Sequence, residues 1–305
     1  LATLQEPIFI ILVCIGLITY LNFFNEMYSL TNAIIIILLF YRIYTKGGNL
    51  LIALQKIVIC EGAFNSLTGL LDEAKKNQEF LNEDKLLPSY NGDLSFKNVS
   101  FSYSKKKVFE NLSFKFELRK KIIGISGQSG EGKSTLIDLI IGLQNPDEGK
   151  VLICGEDLKN INHRTWRENI GFVPQDVILF NDSVKNNVTL YDNKFNDDEI
   201  NNCLKDSGVF EDIKELIGDI HYNVGEKGYR LSGGQRQRII ISRALIRKPQ
   251  ILIFDEPTAA LDLKNKKKII KTIKTLSKNI TILTASHDKL LLDECDFIID
   301  LNQKE

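Results

Sequence analysis

The chain has 305 residues, with 39 basic and 39 acidic side chains and a formal net charge of zero. The length suggests about two domains, and the balanced charge excludes the basic excess that marks nucleic-acid binding. The 5 cysteines are widely separated and form no Cys-x-x-Cys pair, so the sequence indicates neither a zinc site nor a disulfide framework.

Charged residues are nearly absent from the first forty positions. Before Arg42 there is no Lys or Arg, and the only acids are Glu6 and Glu26. Apolar runs at 7–24 and 30–44 approach the roughly 20 residues with which a helix crosses a bilayer. Tyrosines near the ends of the second run suit a membrane interface. We predict two transmembrane helices, although a buried core helix or sheet would give similar runs.

Arg42 and Lys46 directly follow the second run, which places that end in the cytoplasm under the positive-inside rule. From 47 to 81, apolar residues recur at steps of three and four, which predicts one long cytoplasmic helix that Gly47-Gly48 could bend. We interpret 1–81 as an all-α transmembrane region with two spans in membrane lipid, followed by the long cytoplasmic helix. Two spans cannot enclose a pathway, the first residue is not Met, and the chain stops at Glu305 soon after the last predicted strand, so we expect both ends to be cut from a longer chain.

The segment 82–93, with Pro88 and Asn91-Gly92, is interpreted as a linker. After it, β-type runs alternate with helical patterns. Strands are predicted at 94–101, 108–116, 121–126, 150–154, 171–174, 251–255, 280–285 and 297–301, and helices at 134–141, 197–207, 234–246 and 263–277. This alternation predicts an α/β domain over 94–305 with a largely parallel core.

A glycine-rich segment stands between a predicted strand and a predicted helix. It reads Gly127-Gln128-Ser129-Gly130-Glu131-Gly132-Lys133-Ser134-Thr135 and fits the P-loop pattern G-x-x-x-x-G-K-[ST]. In such a loop, backbone N–H groups and a helix N-terminus surround phosphates. Lys133 would reach the β- and γ-phosphates, and the Ser134 hydroxyl would bind Mg²⁺. A plain glycine turn before a helix is the alternative, but the strand–loop–helix context favours nucleotide binding.

Four apolar residues, 251–254, end in Asp255 and Glu256. A buried strand that presents an acid at its carboxyl end supplies the metal partner of a P-loop. We predict that Asp255 holds Mg²⁺ through water and that Glu256 is the base that polarises the attacking water. A strand ending in a solvated acidic turn is the alternative, which the P-loop in the same domain disfavours.

The segment Leu231-Ser232-Gly233-Gly234-Gln235 resembles the signature of the ATP-binding cassette (ABC) family. The resemblance spans about 94–301 and implies an α/β P-loop NTPase cassette domain, here preceded by the all-α transmembrane segment. Two cassettes of this family close head to tail, and the signature of one completes the ATP site of the other. The resemblance therefore implies that Ser232, Gly233, Gly234 and Gln235 contact ATP bound to a second chain.

Four further positions match the family pattern one by one. Gln175 matches the glutamine that senses Mg²⁺ and the membrane part, and His287 matches the switch histidine that contacts the γ-phosphate. Tyr103 matches the aromatic that stacks on adenine, with an ordinary strand aromatic as the alternative. Asp262, in Ala260-Leu261-Asp262, lies in the loop that crosses the dimer. By this resemblance the catalytic residues are Glu256, His287, Gln175 and Lys133, and the Mg²⁺ residues are Ser134, Gln175 and Asp255.

The fusion of membrane spans to a cassette resembles the last third of a type I exporter half-transporter, as does the loop 223–228. The resemblance implies an ATPase that drives export and pairs with a second half-transporter chain, as a homodimer or a heterodimer. The apolar runs place the chain in a membrane with a cytoplasmic cassette, and the abundance of Ile, Lys and Asn, typical of an AT-rich genome, favours the bacterial plasma membrane.

The substrate suggested by overall resemblance is a lipid-linked saccharide or another amphipathic molecule, with a peptide or drug as the alternative. A soluble ABC ATPase without a transport role is the alternative of another class, and the apolar runs disfavour it. One departure from the exporter pattern is Ser286-His287-Asp288, where many exporters have Ala-His-Arg.

Overall fold

The computed structural model describes residues 2–23, 30–76, 92–104, 106–128, 130–217, 219–259 and 261–301. The chain divides into two compact units, Leu1–Phe80 and Leu81–Glu305. Several predicted features lie outside the described residues, namely most of the linker (82–91), the end of the long helix (77–81), Ser129 of the P-loop and Ala260.

The first unit is helical. Helix α1 runs over Ala2–Phe23 and helix α2 over Leu30–Lys76. With 47 residues, α2 is about 70 Å long at roughly 1.5 Å per residue, more than twice the hydrocarbon thickness of a bilayer. The second predicted span and the long helix predicted after it are therefore one helix, which continues through Gly47-Gly48.

The two helices of this unit contact each other through aromatic side chains. Phe9 on α1 packs against Tyr41 and Tyr44 of α2, with ring centroids 6.0 and 4.5 Å apart. Many large apolar side chains elsewhere on the helices are exposed, for example Ile59 at 73%. Among the described residues, Ile34–Lys76 is long and apolar enough to cross a membrane. An apolar surface of this extent requires lipid or protein around it.

The second unit contains two sheets. An antiparallel sheet has the order β2-β1-β4-β5 and consists of β1 (Asp93–Tyr103), β2 (Lys106–Glu117), β4 (Glu148–Ile153) and β5 (Glu156–Asp157). A parallel sheet has the order β6-β7-β8-β3-β9 and consists of β3 (Ile122–Ser126), β6 (Ile170–Val173), β7 (Ile251–Asp255), β8 (Thr281–Ala285) and β9 (Phe297–Asp300). The predicted parallel core is present, whereas three predicted strands form a separate antiparallel sheet.

The helices of this unit are α3 (Lys133–Ile141), α4 (His163–Glu168), α5 (Val184–Thr189), α6 (Asp197–Asp206), α7 (Phe210–Ile217), α8 (Gly233–Leu245), α9 (Leu263–Leu276) and α10 (Lys289–Leu292). The sequence predicts α3, α6, α8 and α9 to within a residue at each end. It misses α4, α5, α7 and α10, which have eight residues or fewer. Helices this short show too few turns for an apolar period to be recognised.

The parallel sheet separates two hydrophobic cores, and β7 contributes to both. Ile251 and Ile253 belong to the core shared with α3 and the antiparallel sheet. Leu252 and Phe254 belong to the core shared with α5, α6, α8 and α9. A strand covered on both faces needs a continuous apolar run, which explains the composition of β7. The covered sheet fixes the five carboxyl strand ends along one edge.

Candidate active site

The predicted catalytic side chains follow the carboxyl ends of neighbouring parallel strands. The P-loop follows β3, Gln175 lies two residues beyond β6, and His287 lies two residues beyond β8. Asp255 ends β7 and Glu256 comes next. Because β6, β7, β8 and β3 are consecutive in the sheet, these residues share one edge, where open α/β sheets bind their ligands.

The P-loop holds its lysine inside the loop. The Lys133 ammonium donates to the carbonyl oxygens of Gly127 (2.8 Å) and Gln128 (3.1 Å). It also lies 3.1 Å from Glu256 Oε1, in an ion pair whose side chains are only 7% and 9% exposed. The buried cation is thus in place beside the predicted base and next to the amides that would surround phosphate.

Position 132 requires glycine for two reasons, its left-handed backbone angle and the lack of space for a side chain. Gly132 has a φ of 97°, and a Cβ there would lie 2.6 Å from Val108 Cγ1 and 2.8 Å from Phe109 Cζ. The neighbouring Glu131 carboxylate accepts the Gln128 N–H at 2.5 Å. The loop therefore turns tightly against β2, and one of its amides already faces an anionic group.

The residues predicted to hold Mg²⁺ fit that ion. The Ser134 hydroxyl donates to Asp255 Oδ2 at 2.9 Å, and in the described part of the chain the buried Asp255 Oδ1 has no hydrogen-bond partner. A hydroxyl and a carboxylate with an unpaired oxygen are the hard ligands that Mg²⁺ prefers. Gln175, exposed beyond the adjacent strand β6, can add an amide oxygen at the same edge.

The carboxylate of Asp255 is repelled by the carboxylates of Glu256 and Asp138. Burial raises the pKa of Asp255 and the Glu256 carboxylate raises it further, against lowering by the Ser134 hydroxyl and Lys133. Burial also raises the pKa of Asp138, and the charge of Asp255 adds to that effect. Sequence reasoning missed Asp138, although it stands four residues after Ser134 on α3 and hence on the same helix face. A cation bound here would relieve this repulsion.

Glu256 and His287 form the second half of the cluster. His287 Nδ1 lies 2.9 Å from Glu256 Oε2 and 3.1 Å from Oε1. Glu256 has a φ of 47°, a left-handed conformation that is uncommon for a residue other than glycine. Its N–H donates to Ala285 O at 2.9 Å, which holds the residue in that conformation. Backbone strain of this kind occurs at functional sites.

Tyr103 lies at the end of β1, where its ring meets Phe101 edge-on with centroids 4.9 Å apart. It pairs with Lys106 on β2, three residues before the Phe109 ring that packs on Gly132. The ring is 46% exposed. The tyrosine thus stands at the end of β1, close along β2 to the residue that packs on the P-loop, and about half of its surface is open to a ligand.

The signature segment lies apart from the P-loop. Ser232 caps helix α8 and exchanges side-chain and backbone hydrogen bonds with Gln235. A Cβ on Gly234 would lie 2.6 Å from Asn265 Oδ1 of α9, and Asp262 occupies the N-cap position of the same helix. Across the described residues, no hydrogen bond or ion pair joins the signature to the P-loop. The structure therefore groups the signature with Asp262, and separately the P-loop with Gln175, Asp255, Glu256 and His287.

Comparison with known proteins identifies the same family as the sequence motifs do. Residues 109–259 match the ABC transporter family. A protein of Rickettsia typhi, described as an export ATP-binding/permease protein, is 39% identical over 69% of this chain and 37% of its own length. A Rickettsia bellii protein with the same description is 31% identical over 90% of this chain and 48% of its own length.

A solved structure supports the same fold. A bacterial Atm1-family ABC exporter with ATP bound superposes with a TM-score of 0.64 and 32% identity, over 70% of this chain and 38% of that chain. The chain therefore spans less than half the length of these relatives.

Proposed function

This chain carries the ATP-binding domain of the ABC transporter family, and we propose that it hydrolyses ATP and couples the reaction to export across a membrane. The observation that carries the proposal is the cluster of Lys133, Glu256 and His287 beside the P-loop. A cation, a strained buried carboxylate and an imidazole meet at one sheet edge there. Such a constellation suits attack of water on a terminal phosphate.

The chemistry assigns a task to each group. The triphosphate lies along 127–135, where Lys133 neutralises charge on the β- and γ-oxygens. Glu256 accepts a proton from water as the water oxygen bonds to the γ-phosphorus. The bond between the γ-phosphorus and the β–γ bridging oxygen breaks, which releases ADP. His287 contacts the γ-phosphate and Glu256 together. Ser134, Asp255 and Gln175 would hold Mg²⁺, which would supply further neutralisation of the phosphate charge.

Positioning and electrostatics provide most of the rate. The signature then belongs to the ATP site of a second half-transporter chain, identical or related to this one. The first unit lies in a lipid bilayer, most simply the bacterial plasma membrane, and the long apolar helix α2 supports this location. Movements of the cassettes reach the bilayer through the long helix α2.

Glu256→Gln tests the assignment of the base. The amide cannot accept the proton, so we expect ATP turnover to fall about 100-fold or more while ATP binding persists. The matched control is Glu168→Gln, because Glu168 is 54% exposed in a surface ion pair. Phosphate release and binding of a fluorescent ATP analogue are measured on the purified chain in nanodiscs. Unchanged turnover in Glu256→Gln would show that another group is the base.

The substrate class is a finer proposal. We assign a lipid-linked saccharide or another amphipathic lipid on overall resemblance to exporters, with a peptide or drug as the alternative. Stimulation of ATP turnover is compared between a lipid-linked saccharide and an apolar peptide in nanodiscs. Selective stimulation by the peptide would replace the proposal with peptide export. A chain found in the soluble fraction would instead favour a non-transport ATPase.

A further inference from the structure

We propose that Asp288 is a positioning residue for the His287 switch, and that it acts through an ion pair with Lys266 on α9. The inference rests on the proposed ATP hydrolysis and goes beyond it, because no hydrogen bond or ion pair among the described residues joins Asp288 to Lys133, Glu256 or the P-loop. It starts from the sequence Ser286-His287-Asp288, in which an acid follows His287 where many exporters have an arginine. An acid at this position needs a cation, and α9 supplies one.

Both carboxylate oxygens of Asp288 are engaged. Lys266 Nζ donates to Oδ2 at 2.9 Å, and the N–H of Leu290 donates to Oδ1 at 3.1 Å. The side chains of the ion pair are 30% exposed on Lys266 and 12% exposed on Asp288. One oxygen therefore contacts α9 while the other caps the short helix α10.

The carboxyl group is held in its charged form. Burial raises the pKa of Asp288, but the bonds from Lys266, Leu290 and Thr258 outweigh burial and leave the pKa below its usual value. Asp288 is consequently an anion across the neutral range, and the ion pair is present under working conditions.

His287 lies between two fixed residues. On one side, Ser286 is fully buried and its N–H donates to the carbonyl of Ile125 on β3 at 3.1 Å. On the other side, Asp288 is tied to α9. The imidazole is itself 69% exposed, so its position depends on these two anchors and on Glu256. Loss of the Lys266 contact removes one anchor and leaves the imidazole freer to move away from the base.

Lys266 also connects His287 and Asp288 to Asp262, which lies in the loop that the family resemblance places across the dimer. Its N–H donates to the carbonyl of Asp262 at 2.9 Å, which places it in the first turn of α9. Asp262 occupies the N-cap position of this helix, beside the signature segment. The ion pair thus joins the residue that meets γ-phosphate to the segment proposed to meet a second chain, so that the two move together.

A double-mutant cycle tests the ion pair in the whole chain in nanodiscs. Asp288→Asn keeps the acceptor for Leu290, and Lys266→Gln removes the charge while it keeps most of the length of the side chain. We expect each single change to lower kcat about fivefold with KM for ATP altered less than about twofold. The double variant should also be about fivefold slower, not about 25-fold slower, because the two residues act as one unit. The control is Lys267→Gln, whose side chain is exposed.

A second cycle asks whether the effect passes through His287. In a His287→Ala background, Asp288→Asn should cause no further loss, because there is no imidazole left to position. A general structural defect would lower activity in both backgrounds. Multiplicative effects in either cycle, or wild-type kcat in both single variants, would overturn the inference.

Hydrogen exchange provides a readout that does not depend on turnover. Both single variants should increase amide exchange in the switch segment 286–290 and in the first turn of α9, whereas Lys267→Gln should not. Unchanged exchange in both segments would overturn the inference. If the wild-type chain hydrolyses no ATP, the proposed function fails, and the exchange experiment still decides whether Asp288 and Lys266 hold the switch.

Discussion

The residue type allowed at a position of the P-loop depends on contacts with other parts of the fold. Gly132 must adopt a left-handed angle, and its α-carbon faces Val108 and Phe109 of β2. The left-handed angle alone would disfavour a side chain by about 1–2 kcal/mol. Contact with β2 adds a penalty for overpacking that the P-loop sequence does not reveal.

Gly132→Ala should therefore destabilise the cassette by about 2–5 kcal/mol and weaken ATP binding. Gly155→Ala is the matched control, because Gly155 has a φ of 84° but open space around its Cβ position. It should lose only about 1–2 kcal/mol and retain ATP binding. Urea unfolding and nucleotide titration measure both effects. Equal losses of stability in the two variants would mean that the contact with β2 contributes nothing.

Among the elements, helix α8 presents the signature and is held by a buried arginine. Arg238 is 4% exposed, and its guanidinium donates to the carbonyls of Gly234 (3.1 Å) and Gly208 (2.6 Å) and to Asp212. The contacts with Gly208 and Asp212 join α8 to the turn before α7 and to α7 itself. Each acceptor would be left without its donor if the guanidinium were removed.

Arg238→Met should accordingly destabilise the cassette by about 3–5 kcal/mol, because it leaves Asp212 without its charge partner. Arg164→Met is the control, since Arg164 and its partner Glu168 are 77% and 54% exposed. Removal of that surface pair should change stability by less than about 1 kcal/mol. Thermal unfolding of the two variants gives the comparison. A small effect in both would show that Arg238 does not anchor the helix.

At the scale of the whole molecule, the P-loop and the signature are separate in one chain, which motivates the proposed pairing of two chains. Glu256→Gln should trap the ATP-bound pair, because binding persists without hydrolysis. Adding Ser232→Arg should prevent pairing, since a long cation would fill the contact with the second chain. Thr275→Arg, on an exposed part of α9, is the control. Multi-angle light scattering with and without ATP reports the mass, and a monomer at every ATP concentration in Glu256→Gln would contradict the pairing.

The sequence determined the elements whose signal is local and strong. The run 251–255 could be assigned as a buried strand because its side chains are apolar on both faces. The P-loop and the signature could be recognised because a tight, glycine-rich turn before a helix leaves little freedom of residue choice. The scarcity of charge before Arg42, against the charge-rich chain after it, likewise indicated a membrane part and a soluble part.

Only the tertiary structure decided which distant residues meet. Strand order placed β7 and β8 side by side and so brought Glu256 to His287, whereas nothing local in either segment encodes that contact. The partner of Asp288 lies 22 positions away on α9, at a distance set by the packing of that helix on the sheet. Local motifs fix residue types through backbone geometry, but pairs far apart in sequence are selected by the layers that bury the sheet on both faces.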